Sequence, residues 1–166
     1  LGANGPFATG AATNSGVVAS CSTSNNDIWF AFTSTLSAQL EVTTCGSTFD
    51  TILTAYNACG GAEITCNDDV ATGVCTNVLN SRIQFPTVAG TTYYFRVGDF
   101  GTAGGTVFLN LAYKFTLEMD QSAGPFSFVL ANHAGVPAAA TAKSRNATAC
   151  SAVMMFDGCT NACGAS

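Results

Sequence analysis

The chain has 166 residues, of which 9% are charged, with five Lys or Arg against ten Asp or Glu and a formal net charge of −5. Soluble domains usually carry about 25% charged residues, so Thr, Ser, Asn, Gly and Ala must cover most of this surface. The lack of a basic run argues against a nucleic-acid partner, the lack of an apolar run of about 18 residues argues against membrane insertion by a helix, and a hydrophobic content of 48% argues against disorder.

At this length one domain is expected, with room for a full core and a smaller appendage. Leu1 is preceded by no initiating Met and followed by no basic-then-apolar leader, so the chain reads as a mature, trimmed or internal piece. Nearly every ordered stretch has a period of two. Ile28, Phe30 and Phe32 alternate with Trp29 and Ala31, and Ala38, Leu40 and Val42 alternate with Gln39, Glu41 and Thr43. Ile52, Thr54 and Tyr56 oppose Leu53 and Ala55, while Leu79, Ser81, Ile83 and Phe85 alternate with Asn80, Arg82 and Gln84. Phe95 and Val97 oppose Tyr94 and Arg96, and Val107, Leu109, Leu111 and Tyr113 oppose Phe108 and Asn110. Each run ends in Gly, Pro, Asn or Asp, which is the signature of short strands rather than helices. Many short strands at regular spacing predict an all-β sandwich or barrel.

From Lys114 onward the pattern is weaker. Phe115, Leu117 and Met119 alternate, as do Phe126, Phe128 and Leu130, and residues 151–156 read as another strand. Three short strands cannot bury two faces alone. The reading is therefore a sandwich over residues 1–113 and a disulfide-containing β extension over 114–166, packed on the sandwich or on a neighbouring subunit.

Eight cysteines, at Cys21, Cys45, Cys59, Cys66, Cys75, Cys150, Cys159 and Cys163, point to an oxidising compartment and to disulfides. A zinc site is the rival, since Cys159 and Cys163 have a tolerable ligand gap, but His133 is the only histidine. Eight cysteines allow roughly a hundred pairings. Loop neighbourhood favours Cys45 with Cys75 and Cys59 with Cys66, leaving one of the C-terminal trio to reach Cys21 or another chain.

Four motifs recur in a distinctive order: Asp27-Ile-Trp-Phe-Ala-Phe-Thr33, Thr44-Cys-Gly-Ser-Thr-Phe-Asp-Thr-Ile-Leu53, Cys66-Asn-Asp-Asp69 and Gly90-Thr-Thr-Tyr-Tyr-Phe-Arg-Val-Gly98. Over about residues 4 to 113 this resembles the bacterial pre-peptidase C-terminal domain. Gly5-Pro6-Phe7-Ala8-Thr9-Gly10 fits the loosely extended segment that leads into the Trp strand. The resemblance implies a jelly-roll-like antiparallel β-sandwich of about eight strands. It also implies a non-catalytic accessory module of exported proteins, some of which bind insoluble polymers and some calcium.

Few residues here carry chemistry. Asp50 and the Asn67-Asp68-Asp69 run should meet at one end of the sandwich as oxygen ligands for calcium; the same residue types also cap turns by bonding nearby backbone N–H groups. Asp99 neighbours this cluster and is assigned a turn role, and Asp27 leads a strand. Paired carboxylates raise glycoside hydrolysis, but these acids sit in short Gly-flanked loops without a cleft. No Gly-x-Ser-x-Gly elbow exists and His133 has a turn context, so no enzyme is expected. Trp29, Tyr94 and Phe108 point away from the main apolar sets; Trp29 is expected in the core, and Tyr94 is the best exposed candidate for binding. Asn146 begins an N-glycosylation sequon.

These readings leave two functions for a secreted or cell-surface protein. One is a non-catalytic structural or adhesive subunit of a surface or filamentous assembly, built by self-association or with other extracellular proteins. The other is an accessory module that binds a carbohydrate or protein polymer. Neither requires a cofactor, calcium apart.

Overall fold

The structure is a computed structural model that describes residues 1–101, 104–114, 117–119, 128–130 and 153–156, the last three ranges as backbone strands. The sequon at Asn146, the cysteines 150, 159 and 163, His133 and the alternation at Phe126 lie outside the described residues.

Eleven strands and no helix occur among the described residues. They are β1 (Gly2–Ala8), β2 (Asp27–Thr33), β3 (Gln39–Thr43), β4 (Thr51–Tyr56), β5 (Glu63–Asn67), β6 (Arg82–Pro86), β7 (Thr92–Asp99), β8 (Thr106–Lys114), β9 (Leu117–Met119), β10 (Phe128–Leu130) and β11 (Val153–Phe156). One sheet has the order β1-β8-β3-β6, the other β11-β2-β7-β4-β5, and β9 pairs with β10. Every pairing between these strands is antiparallel. This is the expected jelly-roll-like sandwich, with eight strands between Gly2 and Lys114. β11 lies along β2, from Val153 opposite Phe32 to Phe156 opposite Trp29.

Period two decides the core. Phe30, Phe32, Leu53, Phe95 and Val97 project from the five-stranded sheet onto Leu40, Val42, Ile83, Phe85, Leu109 and Leu111 of the other. Each fully buried side chain of this size stabilises by roughly 1.5–3 kcal/mol relative to exposure. Edge-to-face rings such as Phe85 and Tyr93, 5.3 Å apart, tie the two layers together.

Two elements differ from expectation. The leading segment is not loosely extended: it is β1, paired with β8 from Gly2 opposite Leu111 to Ala8 opposite Thr106, with a register shift between Asn4 and Phe7. β6 begins at Arg82, so Leu79 is not a strand residue. The Asn77 carbonyl accepts from the Asn80 N–H at 3.2 Å and the Asn77 side chain accepts from the Leu79 N–H at 3.1 Å, a local turn that competes with the ladder and leaves Leu79 exposed.

The outer face of the five-stranded sheet is covered as well. Trp29, Ile52, Thr54 and Arg96 lie on that face and are all 0% exposed. The cover is a strap formed by the chain between β1 and β2. It is fastened where the Asp27 N–H donates to the Thr13 carbonyl at 3.1 Å, where the Asn25 N–H donates to the Asp99 carbonyl at 3.0 Å, and by a Cys21–Cys66 disulfide. At Gly98 the strap comes so close that a Cβ there would meet the Ser24 side chain, with Oγ at 2.6 Å. Only glycine lets the two backbones approach in this way.

The strap also corrects the cysteine reading. Cys66 sits opposite Thr54 in the register, on the outer face, and so meets Cys21 of the strap rather than Cys59. Cys21 is thereby closed to the C-terminal trio. Cys45 pairs with Cys75 as expected, and Cys59 is disulfide-bonded too.

Candidate functional site

The antiparallel pairing of β4 with β5 puts Leu53 opposite Asn67, so the residues before β4 and after β5 emerge at the same end of the sheet. That end rests on buried hydroxyls. Thr44 Oγ1 and Thr51 Oγ1 are 2.6 Å apart, Thr51 Oγ1 and Ser81 Oγ 3.0 Å, and Ser81 Oγ donates to the Asp68 carbonyl at 2.7 Å. The Cys45–Cys75 disulfide closes the loop chain around this platform.

On the platform, carboxylate oxygens of Asp50, Asp68 and Asp69 all lie within 4.8 Å of one another. Asp50 and Asp68 are half-buried and Asp69 is exposed. Oδ1 of Asp50 and Oδ1 of Asp68 are buried and accept no hydrogen bond. Burial, then the charges of Asp68, Asp69 and Asp99, push the Asp50 carboxyl above its ordinary range. Asp68 is also raised, by burial first and by Asp69, against a hydrogen bond from Ser22. Gathered carboxylates with oxygens left over fit a hard divalent cation, which takes six to eight oxygen ligands when it is calcium.

Asn67 has a different role. Its Oδ1 accepts from the Arg82 N–H at 2.8 Å and its Nδ2 donates to the Asp69 carbonyl at 3.0 Å, so its amide shapes the loop. Asp99 is a turn residue: its carboxylate accepts from the N–H groups of Gly101 at 2.7 Å and Gly104 at 2.6 Å.

Beside the acids lies an open groove of about 310 Å³, lined by Asn67, Asp69, Val70, Ala71, Val74, Arg82 and Gln84. Glu41 orients two of these side chains, accepting from Gln84 Nε2 at 2.7 Å and pairing with Arg82 Nε at 3.2 Å. The groove therefore offers two amides, a guanidinium and a carboxylate together with small aliphatic groups.

Sequence reasoning passed over two features. Asp27 is no mere strand-leading residue. It is 1% exposed, its Oδ2 accepts from Arg96 Nε at 2.8 Å and from Ser15 Oγ at 2.7 Å, and its Oδ1 accepts from Trp29 Nε1 at 3.1 Å. The signal was present in Arg96, a lone cation between Phe95 and Val97. The second feature is the exposed aromatic, which among the described residues is Phe100, 53% exposed. Trp29 is core as expected, while Tyr94 and Phe108 are half-buried.

Comparison with known proteins places the sequence in a family. A T9SS-associated model described as galactose binding domain-like matches residues 4–111, more than half of the chain. The search of curated proteins and the search of solved structures found no match. The matched family agrees with the pre-peptidase-like resemblance on a β-sandwich over almost the same span, and differs from it in the family named. Its T9SS association fits a secreted or cell-surface protein, and among the described residues no helix is long and apolar enough to cross a membrane. The chain belongs to the T9SS-associated galactose binding domain-like family of β-sandwich proteins.

Proposed function

We propose that this is a non-catalytic binding module of a secreted protein, which seats a carbohydrate polymer at the loop end of the five-stranded sheet with calcium held by Asp50, Asp68 and Asp69. The observation that carries this reading is the pair of buried, unpartnered oxygens on Asp50 and Asp68, at the end of the molecule where Asp69 joins the groove. Buried polar atoms are nearly always hydrogen-bonded, so two such oxygens in one acidic cluster call for a partner from outside the chain. Three carboxylates fill only part of a calcium shell, and vicinal hydroxyls of a sugar are suited to complete it. The groove supplies Arg82 and Gln84 for further hydroxyls and Val70 and Val74 for the apolar edge of a ring. The family name and the pre-peptidase-like resemblance support an accessory module in the same sense.

The test is retention of the full chain on insoluble cellulose, chitin, xylan and galactan, with calcium or with chelator. Retention that chelator abolishes and Arg82→Ala weakens is the expected result. Failure of the wild-type chain to bind any of the four in calcium defeats the reading.

A second reading, the structural or adhesive subunit of an assembly, is favoured by β11. That strand closes the β2 edge of the five-stranded sheet, and a strand supplied from the far end of one chain can equally be supplied by a neighbouring copy. In that case the extension over 114–166 is the assembling part. Removing residues 150–166 then dissolves higher-order species and leaves a folded sandwich. A wild-type chain that stays monomeric at high concentration defeats this reading.

A further inference from the structure

We infer that Phe100 is a stacking residue for a sugar ring, an assignment that rests on the carbohydrate reading above. Three of the six large apolar side chains exposed among the described residues, Val78, Leu79 and Phe100, belong to the acidic end. The backbones of Phe100 and Leu79 flank Asp50, and that of Val78 meets the groove wall. The Phe100 N–H donates to the Asp50 carbonyl at 3.1 Å, the Thr51 N–H donates to the Leu79 carbonyl at 3.0 Å, and the Val70 N–H in the groove wall donates to the Val78 carbonyl at 3.0 Å.

Phe100 is also held in place. Asn25 Nδ2 donates to the carbonyls of Phe100 at 3.4 Å and Gly101 at 2.6 Å. The buried Asp99 carboxylate grips the N–H groups of Gly101 and Gly104 from the other side. The turn is therefore pinned on both flanks while its aromatic side chain is 53% exposed. A rigid aromatic in water loses little conformational freedom on binding, which is the property of an anchor residue. Its π face carries negative charge and suits the weakly positive C–H face of a pyranose. Three exposed apolar side chains are few for a protein partner, which would bury about 800 Å² on each side around an apolar centre. A single exposed aromatic suits one sugar ring, and the backbone that Phe100 bonds is that of Asp50, whose carboxylate group with Asp68 and Asp69 would take hydroxyls or a shared cation.

The experiment is a set of depletion isotherms of the full chain on whichever of cellulose, chitin, xylan or galactan retains the wild type. Phe100→Ala should bind about tenfold more weakly, a difference of about 1.4 kcal/mol, with an unchanged melting temperature, whereas Phe100→Tyr should bind as the wild type does. Phe100→Trp adds a direct readout. The only native tryptophan, Trp29, is buried, so the introduced indole emits as an exposed one and should shift to the blue on binding the soluble oligosaccharide of that polymer. If Phe100→Ala binds like the wild type while Arg82→Ala weakens binding, the inference fails and the groove reading stands. If the wild type is retained by none of the four polymers, both fall together.

Discussion

Two sets of acids stand at the same end of the five-stranded sheet and are treated in opposite ways. Asp27, opposite Gly98 in the register, is fully enclosed, and both its oxygens are taken by Arg96, Ser15 and Trp29. Asp50 and Asp68, around the start of β4 and the end of β5, each bury one oxygen, Oδ1, that has no donor, although Ser22 hydrogen-bonds the Asp68 carboxyl. A buried charge is tolerated when it is paired. The first set obeys that rule within the chain. The second does so only if something outside the chain supplies positive charge. The comparison separates an acid that holds the strap on the sheet from acids that are kept for a ligand.

The largest effect should come from removing the satisfied acid. Asp27→Ala leaves Arg96 buried without its partner and frees Ser15 of the strap, so unfolding in denaturant should show a loss of about 3–5 kcal/mol. A loss below about 1 kcal/mol would mean that the pair contributes nothing beyond an exposed one.

The unsatisfied set should respond to cation instead. Calcium at a hundred times its Kd should stabilise the wild type by about 2.7 kcal/mol, seen as a rise in melting temperature that chelator reverses. Asp68→Asn should abolish that response, and in chelator it should melt above the wild type because a like charge has gone. Identical wild-type melts in calcium and chelator would return these residues to loop capping.

Between the two regions lies the strap, and Gly98 is its contact point. Gly98→Ala drives a methyl group into Ser24 and should cost about 1–3 kcal/mol, as overpacking does. The same substitution at the exposed Gly73 is a poor control because φ there is +90°; Gly10, with open space around it and an ordinary φ, is the better one.

The smallest effect distinguishes the acids by pH. Burial works to raise the Glu41 carboxyl, but hydrogen bonds from Lys114 and Gln84 and the charges of Lys114 and Arg82 outweigh it and hold it below its ordinary value. Its contribution is therefore full above the ordinary carboxylate value and is lost as pH falls through the folded value. Asp50 and Asp68, raised by burial and by neighbouring carboxylates, behave in reverse. In chelator, their region gains stability as pH falls from the raised values to the ordinary one, and loses it as pH climbs back. Glu41→Gln should lower stability at neutral pH by at most about 1 kcal/mol and flatten the acid limb. Acid melts of Asp68→Asn that still show the gain in full would place its source elsewhere.

Period two along Ile28–Phe32, Leu53–Ala55 and Phe95–Val97 was enough to determine an all-β sandwich and most of its core, because alternation on a pleated strand allows only one apolar face to turn inward. The same alternation located the loops, and so the meeting of Asp50 with Asp68 and Asp69 was legible in the order of strands and turns along the chain. It did not reveal the strap, since residues 9–26 carry no periodicity and their place depends on Cys66, Glu63 and Arg96, which bond Cys21, Ser20 and Ser24 from far along the chain. For that reason the partner of Cys66, the ion pair of Asp27, the glycine at 98 and the exposure of Phe100 were decided by tertiary structure alone. Local pattern determines which way a side chain points from its strand; only the folded chain determines what lies above it.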